Sequence, residues 1–457
     1  MSQPPRQLSD EALLTEIYSS FEPFKPPVKE AYVDCQEVRG RWDVVRELGR
    51  RITRSKEPTC QLYTGHRGVG KSTELLRLKE FLEGQGYFVV YFAADNEDIE
   101  PQDAEYADIL FACTRHLVQD IRVDNHNPLV QWLQERWDSM KELARSEVQF
   151  DGLTLEGQIA QFGSISSTLR AIPEKRREIR QKVNDYTPSL VVALNDFIGV
   201  ARSTLPNTCP GIVIMADNLD RIVEIQQEGQ PSNYDEIYLN RSEILRGLDC
   251  HVIYTVPISM VYSERGTRLE DNYDKPDVLP MVMVRYPDGR LNAAGLAKFR
   301  ELIQKRVALI DADLADQIDT QLFDSPATLE NLCLMSGGHL RILMQLIQRA
   351  IDWTDCLPIT AQAVQIAIEE ARETYLNTIQ ADQWRLLAQV CRTRNADNEP
   401  QCLRLLLNRC LLEYRYYDDQ GKLQRWHNVH PLIEGLAPFQ KALAQVPSLP
   451  FPWGEES

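Results

Sequence analysis

Eight consecutive residues, Gly65-His66-Arg67-Gly68-Val69-Gly70-Lys71-Ser72, carry the sharpest chemical signal in the chain. They fit G-x-x-x-x-G-K-[ST] at every fixed position, the pattern of a loop whose backbone N–H groups cradle phosphate oxygens. The glycines permit the turn, and a helix starting at its end aims a positive terminus at the same point. Lys71 is placed to reach the β- and γ-phosphates of a nucleoside triphosphate, and the Ser72 hydroxyl takes one position on Mg2+. A second motif, Ile212-Val213-Ile214-Met215-Ala216-Asp217-Asn218-Leu219-Asp220-Arg221, ends an apolar run in an acid. A buried strand of this kind delivers a carboxylate to the metal side of a phosphate site, which makes Asp217 the candidate Mg2+ ligand. Many ATPases place a glutamate directly after this acid to polarise water, but here Asn218 stands in that position. The next carboxylate, Asp220, either orients water or caps the helix that follows. Binding therefore reads more firmly than fast hydrolysis.

Weaker signals surround these two. Thr255 ends the run His251–Val256, where a hydroxyl either senses the γ-phosphate or fills a strand position. No N/T-K-x-D motif follows a later strand, which favours ATP over GTP. Gly337-Gly338-His339-Leu340-Arg341 separates two helical stretches. It either brings Arg341 to the phosphates or is a helix C-cap followed by a surface arginine. A basic cluster (Arg170, Lys175, Arg176, Arg177, Arg180, Lys182) reads first as a solvated helix face and second as a grip for an acidic partner.

The elements that must position these residues are legible as an α/β pattern. Cys60–Thr64 reads as a strand before the loop, and Thr73–Leu82 as a helix after it, with Leu75, Leu78 and Leu82 on one stripe. The continuous apolar run Tyr87–Phe92 suits a strand buried on both faces, completing a parallel βαβ unit. Gly211–Ala216, His251–Val256 and Met281–Val284 supply three further strands, giving a five-stranded parallel core. Helical spacing dominates 106–122, 128–146, 173–184 and 188–203, and 123–186 reads as an insertion. From Leu296 to about residue 378 the pattern is all helical. Gln383–Cys391 and Leu403–Cys410 are then short helices, followed by strands Leu411–Tyr417 and Lys422–Val429. The expected domains are a helix and proline-rich linker (1–30), an α/β core (31–292), a helical lid (293–380), a winged-helix-like unit (381–441) and a proline-rich tail (442–457).

In this order the phosphate loop, the Asp-Asn-Leu-Asp-Arg strand end, the lid with Gly-Gly-His-Leu-Arg and the C-terminal unit resemble the AAA+-related STAND class of signal-transduction ATPases. The strand ending is similar to that of KAP-type NTPases, and the arrangement also resembles the Orc/Cdc6-like initiators. The resemblance covers about residues 30–435. It implies nucleotide contacts by Gly65, His66, Arg67, Gly68, Val69, Gly70, Lys71, Ser72 and Thr73, metal work by Ser72 and Asp217, and a lid contact by Arg341. It further implies ATP-dependent oligomerisation in which an arginine of one subunit completes its neighbour's site. Arg265 and Arg268 lie in the appropriate region, and each reads equally as a surface charge. A C-terminal unit of this class packs against the nucleotide domain and locks the ADP form.

Composition narrows the classes. The chain has 457 residues and a formal charge of −17. That balance argues against a protein living on nucleic acid, although a local basic face is compatible with it. Arg404 and Arg409, on the expected recognition helix, are the residues a DNA-binding alternative would use. No apolar stretch approaches the roughly 20 residues of a membrane helix. The ten cysteines form no C-x-x-C pair and no zinc-spaced cluster, as expected of reduced thiols in a cytoplasmic protein. The reading is a cytoplasmic, ATP- and Mg2+-dependent, slowly hydrolysing molecular switch, with a homo-oligomer and a protein effector as its partners. The alternative is a DNA-binding initiator- or remodeller-type ATPase.

Overall fold

The computed structural model of the chain describes residues 9–123, 127–144, 173–226, 229–418 and 420–447. Two compact units are present. One takes Val44–Thr64 and Glu74–Val278, the other Met1–Asp43, Gly65–Thr73 and Leu279–Ser457.

The first unit is the α/β one. Its strands are β1 (Cys60–Thr64), β2 (Phe88–Ala93), β3 (Ile212–Asp217), β4 (His251–Thr255) and β5 (Asp277–Val278). All pair in parallel, in the order β2-β3-β4-β1-β5. Every residue of β3 and β4 is buried, which explains their unbroken apolar character: helices cover both faces of a central parallel strand. Phe111, Phe197 and Tyr254 are fully enclosed in the core around them. Helix Tyr106–Asp120 starts at a capping box in which Glu105 and Asp108 reciprocally satisfy end N–H groups. Because the strands run parallel, the ends of β1, β2, β3 and β4 share one edge, where α/β sheets place their chemistry.

Two sequence expectations change here. The stretches 173–184 and 188–203 form one helix, Pro173–Thr204, with Pro188 inside it. The fifth strand is Asp277–Val278, not Met281–Val284. The latter run is buried, but its backbone bonds elsewhere: Met283 N–H donates to Val38 O at 3.0 Å. Apolar continuity marks burial, and it does not by itself specify a sheet partner. The expected insertion, 123–186, includes helix Pro128–Ala144 and the start of Pro173–Thr204, whereas 145–172 lies outside the described residues. The side chains of the basic cluster also lie outside them.

The second unit is mainly helical. Helices Ala293–Ala308, Pro326–Met335, Leu340–Asp352 and Ala361–Thr378 are each opened by a capping side chain: Asn292, Ser325, His339 and Thr360. Each accepts the N–H three residues on, satisfying a donor the helix leaves unpaired. Helices Gln383–Thr393 and Pro400–Leu407 follow, then the antiparallel pair β6 (Leu411–Tyr417) and β7 (Leu423–Val429). Tyr414 stacks on Trp426 across that pair, with ring centroids 4.3 Å apart. An N-terminal helix, Asp10–Ser20, is capped by Ser9, and the expected tail beyond 447 lies outside the described residues.

Candidate functional site

The phosphate-loop residues belong to the helical unit. Gly68 and Gly70 have φ of 87° and 102°, the left-handed side that favours glycine. At Gly68 space demands it as well: a Cβ would stand 2.6 Å from the Arg341 Cβ and 2.7 Å from the His339 Cε1. The loop's carbonyls are engaged one after another. Gly65 O and His66 O accept from Lys71 Nζ at 2.9 and 3.1 Å. Arg67 O accepts from His339 Nε2 at 2.6 Å, Gly68 O from Arg341 N–H at 3.1 Å, and Val69 O from Arg39 Nη2 at 2.6 Å. In a trans peptide the carbonyl and the following N–H point oppositely. Fixing these carbonyls therefore also fixes the N–H groups a phosphate would meet.

Two buried histidines, His66 and His339, stand at this loop, and the charge of a third, His430, acts on His339. His339 spends Nδ1 on its capping bond from Ile342 N–H, which leaves Nε2 as the donor to Arg67. His66 Nε2 accepts from Glu413 N–H on β6 at 3.1 Å, so Nδ1 carries the proton. His430 Nδ1 accepts from Leu432 N–H at 3.3 Å, so Nε2 carries it. Burial pushes His66 down to about 4 and His430 down to about 3, with the charge of Lys71 adding to the first and Arg409 to the second. Burial likewise holds His339 well below the usual imidazole range. Among the described residues, His66 Nδ1 and His430 Nε2 are buried donors with no partner. A cradle of glycines and a buried lysine fit a polyphosphate anion. Sequence reading included His66, but it gave His339 and His430 no part in the site and missed Arg39 and Glu413.

Arg341 meets the loop through its backbone. Its Nε donates to Pro23 O at 3.1 Å, and its guanidinium lies 5.2 Å from the centre of the Phe24 ring. Ser72 and Thr73, partly buried, fall in the first turn of helix Lys71–Gly84. Arg409 lies past the end of helix Pro400–Leu407, in the left-handed region at φ 61°. Its charge acts on His66, His339 and His430, while Arg404 is exposed. The two arginines of the expected recognition helix thus face different surroundings.

In the α/β unit, the shared strand edge carries the acids. Asp217, fully buried at the end of β3, accepts from Tyr91 Oη at 2.9 Å and from Asn218 N–H at 2.7 Å. Two such donors hold a carboxylate in one orientation, which suits a metal ligand. Asn218 adopts φ 63°, and its side-chain amide donates to Asp95 Oδ1 at 2.7 Å. Arg221 pairs with the other oxygen of Asp95. Thr255 braces this turn, accepting from Leu219 N–H at 2.9 Å. Asp220 is buried in the one-turn helix Leu219–Arg221, and its charge acts on Tyr238. Arg265 is committed to Asp235, Glu224 and Ser232, and Arg268 donates to Asn240 at 3.2 Å.

No family model matches the chain. No curated protein matches it. Among solved structures, it is similar to a Walker-type ATPase of Pyrococcus abyssi at 11% identity and a TM-score of 0.43, covering 93% of this chain and 99% of that one. It is similar to the Aeropyrum pernix ORC2 protein at 11% identity and a TM-score of 0.42, covering 93% and 95%. It is also similar to Drosophila ORC bound to DNA at 10% identity and a TM-score of 0.37, covering 97% and 95%. At such distances the chemistry of the site is carried by its own residues.

Proposed function

We propose that the chain is an ATP-binding, slowly hydrolysing molecular switch of the STAND/AAA+ kind. The observation that carries this reading is the bond from the β6 backbone at Glu413 to His66 within the phosphate loop. Around it, Gly65–Thr73 hold the phosphates, with Lys71 neutralising their charge. Ser72 and Asp217 hold Mg2+, which when bound offsets charge building on the phosphates. Arg341 passes to the phosphates when ATP favours that arrangement. Ligand and C-terminal strand both act on one short loop, so ATP shifts the balance of states only as far as it prefers one of them.

The residues 381–441 act in this reading as a winged-helix-like unit that locks the loop. Tyr414 Oη donates to Gly337 O at 2.6 Å, which ties β6 to the turn preceding His339 and supports that role. Arg409, partly buried and with its charge acting on His339, supports locking over DNA contact. The assembled form is a homo-oligomer signalling to a protein effector. Arg265 already serves three acceptors of its own chain, which leaves Arg268 the better candidate to reach a neighbour's site.

The test is ATP turnover by the purified chain with and without duplex DNA. Slow turnover indifferent to DNA is the expected result. Turnover raised many-fold by DNA would replace the switch with a DNA-remodelling ATPase.

A further inference from the structure

Residues 21–32, which the sequence presents as a linker, are tied down within the helical unit. Helix Asp10–Ser20 buries Leu14 and Ile17, and Phe21 after it is fully enclosed. Carbonyls at either end of the segment accept from side chains of helices Ala293–Ala308 and Leu340–Asp352. Tyr18 O accepts from Gln348 Nε2 at 3.1 Å and Tyr32 O from Lys305 Nζ at 2.8 Å, while Arg306 donates to Ser20 O. Pro23, Pro26 and Pro27 lie between these anchors. Each fixes its own φ and lacks an N–H, so the segment cannot wind into a helix. It is a short strap anchored at both ends.

The middle of the strap holds one side chain of the site. Pro23 O accepts from Arg341 Nε at 3.1 Å. The Phe24 ring centre lies 5.2 Å from the guanidinium carbon, within the roughly 6 Å at which a cation is drawn to a ring face. The same arginine stands at the phosphate loop. Its N–H donates to Gly68 O at 3.1 Å, and a Cβ on Gly68 would come 3.0 Å from its Nε. We infer that the strap is a brake: Pro23 and Phe24 hold the Arg341 side chain, and ATP binds tightly only when Arg341 leaves them for the phosphates. The inference rests on the nucleotide-binding reading and adds its regulation.

The two engagements compete for the same donor. A side-on grip on a phosphate uses Nε together with one terminal nitrogen of the guanidinium. Nε carries a single hydrogen, already given to Pro23 O. Gripping a phosphate side-on therefore means leaving the strap. The brake is also weak enough for a ligand to release, because an exposed cation–ring contact changes an equilibrium only a few-fold. A protein whose competent state is partly populated binds with an affinity lowered by that fraction. Weakening the brake thus raises affinity without any new contact to ATP. Phe24 is 62% exposed, so it can be changed without opening the core.

The experiment compares the full chain, Phe24→Ala, Phe24→Trp, Arg341→Ala, the pair Phe24→Ala/Arg341→Ala and Lys71→Ala. It measures equilibrium affinity for a fluorescent ATP analogue with Mg2+, and Tm as the check on folding. Phe24→Ala is expected to raise affinity about threefold or more, with Tm within about 2 °C of the full chain. Phe24→Trp, whose larger ring holds a cation better, should lower affinity about twofold or more. Arg341→Ala should lower affinity, and adding Phe24→Ala to it should change affinity by less than about twofold. Unchanged affinity in Phe24→Ala would overturn the brake. A fall would overturn it as well, by making the strap a support that sets Arg341 for the phosphates. A gain that persists in the Arg341→Ala background would also overturn it, because the ring would then act through another group. Lys71-dependent binding indifferent to Phe24 would remove the brake alone. ATP affinity indifferent to Lys71→Ala would remove the nucleotide-binding reading and the brake with it.

Discussion

The phosphate loop and the acidic strand edge are organised by opposite means. The loop is held through its carbonyls by its own Lys71 and by donors from remote parts of its unit: Arg39, His339 and Arg341. The edge is held through its carboxylates by donors on or beside neighbouring strands: Tyr91, Asn218 and Arg221. A loop fixed from a distance is one that distant segments can release. In the proposed switch, the loop would be the controllable element and the edge the fixed one.

The sharpest way to break that division is at the edge. Asp217→Asn should lower Mg2+-dependent turnover about 100-fold or more while ATP binding in EDTA changes little. Loss of binding without metal would show that the edge also shapes the loop. Acid is expected to act on the loop rather than the edge. In the unfolded chain the imidazoles take up protons from about pH 6.5 downward. Folded His66 waits until about 4 and His430 until about 3. The unfolded state therefore binds more protons across this interval. Stability contributed by the neutral rings is present above pH 6.5 and is lost as the pH falls toward 4, on the order of 3 kcal/mol for His66. Denaturation curves from pH 7.5 to 4.5 should show this slope, and His66→Gln should reduce it while His430 keeps its share.

Gly68→Ala forces a left-handed backbone on alanine and drives its Cβ into Arg341 and His339. A destabilisation of about 2 kcal/mol is expected, read as a fall in Tm and as weaker ATP binding. Tyr91→Phe is the mildest change. It removes the hydroxyl bond to Asp217 and should cost about 1 kcal/mol, seen in turnover rather than in ATP affinity. An unchanged rate would mean that Asp217 keeps its orientation without the Tyr91 hydroxyl.

The same contrast explains what the sequence disclosed. The phosphate loop and the strand ending in Asp217 are each contiguous, so residue type and spacing suffice to find them, and the alternating pattern gives the parallel sheet. His66 meets its β6 partner across 347 residues, and Arg67 meets His339 across 272. No local spacing encodes such pairs. The run Met281–Val284 was misread as a strand because burial by helices and burial in a sheet select the same apolar residues.

The central claim is that the loop binds ATP through Lys71. Equilibrium ATP binding by the full chain and by Lys71→Ala, at matched fold stability, tests it most directly. Affinity should fall at least about 100-fold in the variant, near 3 kcal/mol. Equal affinity in the two proteins would contradict it.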